Sequence, residues 1–250
     1  MQLFYNKEIT SEGFCTLDPE ESRHAVRVLR LREGDTIHVT DGRGNLYTCR
    51  IVQVDNGKCT VKSIAAAPQD SPLSTFHFQD FPLSSFHFHL AVAPTKNPSR
   101  MEWLVEKAVE IGVGEITLLD CDHSERSFLK TDRLEKLAIS AMKQSLHTLL
   151  PPIHPAVKLS DWLSTFHFPL STQKFIAHCE ADKPRTPLAA ALQPGRDAVV
   201  LIGPEGDFSD EEIALALDCG FQPVSLGPSR LRTETAALYA VTAFNIINEK

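Results

Sequence analysis

The chain has 250 residues, 42% hydrophobic and 23% charged, enough for a full core in one large domain or two small ones. Its net charge of −7 excludes a protein that coats nucleic acid indiscriminately, because that mode rests on summed phosphate neutralisation. No apolar run reaches the roughly eighteen residues of a membrane span, and Met1 to Thr10 lacks a basic-then-apolar leader. A soluble, cytoplasmic protein without a membrane partner is expected. Cys15, Cys49, Cys59, Cys121, Cys179 and Cys219 form no Cys-x-x-Cys pair, which predicts reduced core thiols and no metal.

Residues 1–70 read as a small β-rich domain with one early helix. Asp18-Pro19-Glu20-Glu21 is a helix start, and the helix is expected to run to Leu31 with Ala25, Val26 and Leu29 on one face. Alternating runs follow at 36–40, 46–54 and 58–64, separated by the turns Asp41-Gly42-Arg43-Gly44 and Asp55-Asn56-Gly57. Short strands with tight turns predict a small barrel. Arg23, Arg27 and Arg30 recur at helical spacing, with Arg32, Arg43 and Arg50 nearby and only Glu33, Asp35 and Asp41 against them. This local reversal of sign is consistent with a phosphate-contacting face, and equally with a solvated helix surface.

Residues 71–85 read as a linker carrying an inserted repeat: Pro72 to Phe78 is echoed by Pro82 to Phe88, and a third copy spans Leu163 to Phe168. Units of seven residues are too short for a solenoid, so all three copies are expected in surface connections. His77 has no carboxylate or thiol at ligand spacing, which argues against metal there.

From residue 86 the pattern becomes β/α. A strand at 86–93 ends at Pro94-Thr95-Lys96, and the next helix takes Asn97 or Ser99 as cap. Met101, Leu104, Val105, Ala108 and Val109 form its core stripe, and Gly112 ends it. A strand at 115–119 precedes a long helix expected from about Asp132 to Leu149, where Pro151-Pro152 would stop it. A short helix at Asp161 and a strand at 174–177 follow, with His178-Cys179-Glu180 at the strand's carboxyl end. The alternation predicts a mostly parallel sheet covered on both faces.

Two more apolar strands, 198–202 and 223–226, each run into a Gly-Pro turn that a helix start follows at once. Such turns collect at the carboxyl edge of an α/β sheet and build a pocket there. Ser209 and Glu212 stand at capping-box spacing, and Thr233 is expected to cap a last helix that buries Ala236, Ala237, Ala240, Val241, Phe244 and Ile247. Arg230, Arg232 and Glu234 crowd an apolar turn, which calls for mutual pairing or a charged ligand. Neither a phosphate loop nor a Gly-x-Gly-x-x-Gly fingerprint is present.

Leu201-Ile202-Gly203-Pro204-Glu205-Gly206 and Leu226-Gly227-Pro228-x-x-Leu231-Arg232-Thr233-Glu234-Thr235-Ala236 closely resemble the signature loops of the RsmE-type 16S ribosomal RNA uridine-N3 methyltransferases. These belong to the SPOUT class, whose C-terminal part is tied in a deep trefoil knot. His24-Ala25-Val26-Arg27-Val28-Leu29-Arg30 with Gly34-Asp35 looks like that family's PUA-like RNA-binding barrel. Arg100-Met101-Glu102 through Gly112-Val113, and Gln144-Ser145, are similar to its middle blocks. His147 and Ser229 stand where the family usually has Arg, with Arg230 next to Ser229. The Phe-His-Phe repeats are not family features.

The resemblance implies an α/β protein of a PUA-like β-barrel at 1–70, a linker at 71–85 and a SPOUT domain with a C-terminal knot at 86–250. It implies S-adenosylmethionine held by His178 to Glu180, by Ile202, Gly203, Pro204, Glu205 and Gly206, and by Leu226, Gly227, Leu231, Arg232 and Thr233. It also implies a homodimer acting on 16S ribosomal RNA or the small ribosomal subunit, at a decoding-region uridine of the uridine 1498 type. Uracil N3 must lose its proton to become a nucleophile, so Arg232 is the expected anion stabiliser and Glu234 or Glu205 the expected proton acceptor. Arg23, Arg27, Arg30, Lys96, Arg100 and Arg230 are the expected RNA contacts. Two alternatives stay open: a SPOUT enzyme with another RNA target, and a non-catalytic ribosome assembly factor.

Overall fold

The computed structural model describes residues 2–68, 86–125, 129–166, 168–180 and 184–249. The linker at 71–85, with the first repeat copy and His77, lies outside them. The chain divides into two compact units, one drawn from residues 1–82 and 139–150, the other from 83–138 and 151–250.

The first unit carries β1 (Leu3–Tyr5), β2 (Phe14–Thr16), β3 (Thr36–Thr40), β4 (Asn45–Asp55) and β5 (Lys58–Pro68) in one sheet of order β1-β3-β4-β5-β2. The turn glycines and alternating runs of the sequence account for the β3-β4-β5 meander, which pairs antiparallel throughout. Phe4, Ile37, Val39, Ile51 and Val61 fill its core. Cys49 and Cys59 are fully buried there; burial pushes both thiols up, Cys49 to about 12, and all six cysteines are free. Cys49, Cys59 and Cys121 act as small apolar core residues, whereas Cys179 is exposed and not the core thiol expected.

Helix α1 (Pro19–Arg23) starts as read: the Asp18 carboxylate accepts from the Glu20 and Glu21 N–H groups at 2.8 and 2.9 Å. It does not continue to Leu31. The chain widens into a π-helical turn, His24–Val28, closed by Leu29 N–H to His24 C=O, and Arg30 takes a left-handed φ of 57°. Arg23, Arg27 and Arg30 are all exposed, but the wider turn breaks their helical spacing.

Helix α3 (Thr131–Gln144) also ends earlier than expected. Leu146 adopts φ 62°, and His147 N–H reaches back to Met142 C=O at 2.9 Å, which closes the helix about two turns before the prolines. The freed segment is stitched into the first unit: Thr40 Oγ1 donates to Thr148 C=O, and Leu150 N–H to Gly42 C=O, each at 2.9 Å. Gly42 is required here, since a Cβ would stand 2.9 Å from the Tyr5 ring.

The second unit holds β6 (Phe88–Val92), β7 (Glu115–Asp120), β8 (Ile153–Lys158), β9 (Gln173–Ala177), β10 (Thr186–Pro187), β11 (Ala198–Ile202) and β12 (Gln222–Ser225). Their order is β10-β12-β9-β11-β6-β7-β8 and every neighbouring pair is parallel. A parallel sheet is buried on both faces, and central β11 is buried at all five positions. Pro155 is tolerated in β8 because that strand is the edge.

Helix α2 (Pro98–Ile111) is capped by Asn97 and ended by Gly112 at φ 106°, and its five-residue stripe is buried throughout. Met101, Leu104 and Val105 each contribute roughly 1.5–3 kcal/mol of transfer free energy to that contact. Helix α2 packs on α7 (Thr233–Asn248), and α7 reaches the sheet through Phe244 against Phe88, ring centroids 5.0 Å apart. Within α7, Ala237, Ala240, Val241 and Phe244 are buried and Ala236 and Ile247 half-buried. The third repeat copy is not a surface connection. It leaves α4 (Leu159–Thr165) with Phe166 and Phe168 stacked at 4.6 Å on each other and around Trp162 and His89. Aromatic burial overrides the repeat's likeness to a loop insertion.

At the amino ends of β6, β7 and β8, Glu115 gathers three imidazoles: His154 at 2.7 Å, His89 at 3.7 Å and His87 at 3.8 Å. His89 is buried with Nε2 2.8 Å from Thr117 Oγ1. Burial, then the neighbouring His87 and His154, lowers its pKa to about 3.

Candidate functional site at the carboxyl edge of the parallel sheet

Strands β9, β11 and β12 deliver the three loops read from the sequence. Beyond β9 come His178-Cys179-Glu180, beyond β11 Gly203 to Asp207, and beyond β12 Leu226 to Arg232. Together they enclose a cleft of about 600 Å3, the size of a cofactor site. Ile202, Pro204, Leu226, Pro228 and Leu231 supply apolar walls; Arg185, Arg230, Arg232, Glu205 and Asp207 supply charge. The wall carries both signs with a positive excess.

Of the residues assigned to the cofactor, all but Glu180 and Gly206 line this cleft. Gly206 serves by close approach: a Cβ there would stand 2.9 Å from His123 Cβ, and His123 Nδ1 lies 3.1 Å from its carbonyl. Gly227 holds φ 99°, a conformation strained for any side chain. Gly203 carries its turn against Phe208, whose ring a Cβ would meet at 3.1 Å.

Hydrogen bonds tie the turns to one another. The Lys96 N–H donates to Glu205 Oε1 at 3.0 Å, binding the loop after β6 to the first Gly-Pro turn. Helix α6 (Asp210–Asp218) opens on the full Ser209–Glu212 capping box, and its members also hold the loop after β7: Ser209 Oγ donates to Asp122 Oδ2 at 2.7 Å, and Asp122 N–H to Glu212 Oε1 at 3.0 Å. Thr233 does not cap α7. Arg232 holds the cap position without a side-chain bond, and the Thr233 hydroxyl donates to Gly203 C=O at 3.2 Å, joining the two Gly-Pro turns.

Two cleft residues escaped the sequence reading. Asp207 adopts φ 64°, unfavourable for a side chain by about 1 kcal/mol, and uses both oxygens: Oδ1 accepts from Phe208 N–H at 2.9 Å and Oδ2 from Cys179 N–H at 2.6 Å. It clamps the β9 loop to the β11 loop. The aspartate directly after Glu205-Gly206 was the available signal. Arg185, whose Nη1 donates to His178 C=O at 2.5 Å, follows no motif and gave none. Cys179 also faces the cleft; burial and then the Asp207 carboxylate push its thiol up, away from the thiolate form.

The charged run resolves differently from its spacing. Arg230 and Arg232 line the cleft, whereas Glu234 is not among the lining residues; it is nearly buried, with Oε1 3.7 Å from Arg100 Nε. Lys96 extends Nζ to Glu125 at 2.6 Å, a solvent-exposed pair that raises its pKa. Arg23, Arg27 and Arg30 belong to the first unit.

A wholly parallel sheet whose edge loops close a cofactor-sized cleft, carried in one chain with a β-rich unit, defines the class: an α/β ligand-binding domain joined to a small β domain. A model of the RNA methyltransferase domain matches residues 82–245, and a model of the RNA methyltransferase PUA domain matches residues 17–63. The chain belongs to this RNA methyltransferase family, and its relatives carry the RsmE name. It is 26% identical over 250 residues to the ribosomal RNA small subunit methyltransferase E of Buchnera aphidicola, covering 97% of this chain and 91% of that protein. Among solved structures it resembles a "probable rRNA-methyltransferase" from Porphyromonas gingivalis at 38% identity and TM-score 0.88, over 99% of this chain and 98% of that one. The ribosomal RNA small subunit methyltransferase E of Neisseria gonorrhoeae, solved bound to S-adenosyl methionine, is similar at 26% identity and TM-score 0.79, over 99% and 98% of the two chains.

Proposed function

We propose that the chain methylates N3 of one decoding-region uridine in 16S ribosomal RNA, of the uridine 1498 type, using S-adenosylmethionine. The observation that carries this reading is the convergence of both Gly-Pro turns and Arg232 on one cleft at the sheet edge. The cleft fits the cofactor: apolar walls suit an adenine ring, tight glycine turns bring backbone N–H groups close, and Arg185 and Arg230 suit a carboxylate. The cofactor, when bound, supplies a methyl group already activated on a sulfonium.

What remains is for the protein to favour the uracil anion and hold it in line. Arg232, exposed in the cleft wall, offers guanidinium donors to O2 or O4 as charge develops there. Glu205, fixed by the Lys96 N–H, takes the N3 proton. Glu234 acts through Arg100, which it holds for RNA backbone contact, beside Lys96 and Arg230. Residues 1–70 act as the PUA-like barrel, with Arg23, Arg27 and Arg30 on phosphates; residues 71–85 link it to a SPOUT domain at 86–250 whose C-terminal part is knotted. The enzyme works as a cytoplasmic homodimer. Exposed Trp103 on α2, and Tyr239 and Ile246 on α7, support a partner surface on that helix pair.

Replacing each carboxylate separately tests the assignment. Glu205→Gln should slow methyl transfer to small ribosomal subunits about a hundredfold or more while cofactor affinity by calorimetry stays within a few-fold. Glu234→Gln should raise KM for the RNA more than it lowers kcat. The reverse pattern would transfer the proton-accepting role to Glu234.

A further inference from the structure

Two stretches that the sequence singles out, His24 to Arg30 and Gln144-Ser145, take no part in the cofactor cleft. In the first unit they meet. A second cleft of about 480 Å3 lies between α1 with its π-helical turn, the start of β1, and the last turn of α3.

Charge restricts what this cleft takes. Glu20 and Glu21 balance Arg23 and Lys143 in its walls, so an anion meets as much repulsion as attraction, while a neutral polar ring meets both donors and acceptors. Val28, 62% exposed, adds apolar surface, and exposed Gln144 adds an amide able to donate and accept. A phosphate is disfavoured; a nucleobase is not.

Glu21 narrows the choice further. Its side chain is only 4% exposed; Oε1 accepts from Lys143 Nζ, and Oε2 has no hydrogen-bond partner among the described residues. Burial raises the Glu21 carboxyl, and the Lys143 ammonium paired with Oε1 opposes that rise. A buried acceptor without a donor is destabilising, and a ligand N–H would relieve it. Cytosine, adenine and guanine carry an exocyclic amine, the group that carboxylates accept from in base recognition; uracil has no amine, and its N3–H lies between two carbonyl oxygens that a carboxylate repels. Unpaired bases of RNA present that edge to proteins.

We propose that this second cleft binds one unpaired, amine-bearing base of the substrate RNA, with Glu21 as acceptor for the amine and Gln144 as a second contact. The proposal rests on the RNA-methylating reading above. Cytidine and uridine are the probes, titrated into the isotopically labelled full-length chain and followed by NMR. Cytidine should move the amide signals of Glu21, Arg23 and Gln144, and uridine should leave them in place; equal responses, or none to either, would overturn the proposal. Gln144→Ala, at an exposed position, should raise KM for small ribosomal subunits about tenfold with kcat and cofactor affinity unchanged, the loss of one base contact. An unchanged KM would also overturn it. Failure of the unaltered enzyme to transfer methyl would contradict the uridine reading, and the nucleoside titration would still decide the cleft.

Discussion

The two ends of the parallel sheet face different demands. At the carboxyl ends β11 and β12 leave the sheet through turns built on Gly203-Pro204 and Gly227-Pro228, so turn backbone, apolar side chains and charged groups stand around an open cleft. At the amino ends of β6, β7 and β8, long side chains fold onto one another: Glu115 among His87, His89 and His154, backed by Trp162, Phe166 and Phe168. One end keeps space open and the other fills it. Activity and stability should therefore separate along the strands, and variants at one end should not move the property governed by the other.

The largest effect is expected at Arg232. Arg232→Ala should lower kcat by about a hundred- to a thousandfold, the usual loss of one preorganised donor, with cofactor binding by calorimetry and Tm close to the unaltered protein. Loss of cofactor binding would make Arg232 a brace of the loop instead.

At the opposite end the expected signature is pH-dependent stability. The folded state holds His89 near 3, below its ordinary 6.5, so the unfolded chain binds a proton that the folded one refuses. That contribution is fully present above about pH 6.5 and is lost as pH falls toward 3, at up to about 1.4 kcal/mol per pH unit. His89→Gln, which keeps a partner for Thr117, should flatten the acid side of a Tm-against-pH curve and leave kcat at pH 7.5 unchanged. A steep acid limb in the variant would assign it to other groups.

A smaller effect is expected where the clamp joins two cleft loops. Asp207→Ala loses the bond to Cys179 N–H and keeps the strained φ, so cofactor Kd should weaken by about tenfold. Asp207→Gly, which relieves the strain, should recover Tm but not Kd. Recovery of both would reduce Asp207 to a turn residue. Lys96→Ala should change least: among the described residues its ammonium pairs with exposed Glu125, while the Glu205 hydrogen bond uses the backbone N–H that alanine retains. Tm and cofactor Kd should stay put, and only the KM for RNA should rise.

The same contrast marks what the sequence disclosed. Local chemistry was legible: Asn97 and Ser209 as caps, Gly112 as a stop, the Met101 to Val109 stripe, and a pocket where two Gly-Pro turns follow apolar strands, while the third loop, His178 to Glu180, took its role from the family resemblance. What escaped depends on nonlocal partners. Thr233 looked like a cap until Gly203 C=O claimed its hydroxyl, the contact of Glu234 with Arg100 had no local sign, and Phe166 and Phe168 looked like an insertion until His89 and Trp162 gave them a core. Helix lengths failed at Leu146 and Arg30, where a residue took a left-handed φ and the next N–H turned back to close the helix, His147 to Met142 C=O and Leu31 to Ala25 C=O. Arg185 has no local signature at all.

The most direct test of the account is methyl transfer from labelled S-adenosylmethionine to small ribosomal subunits lacking their own modification, with the product nucleoside isolated and mapped. The account predicts N3-methyluridine at one decoding-region position. A different methylated nucleoside, or cofactor binding without any transfer to the subunit, would contradict it.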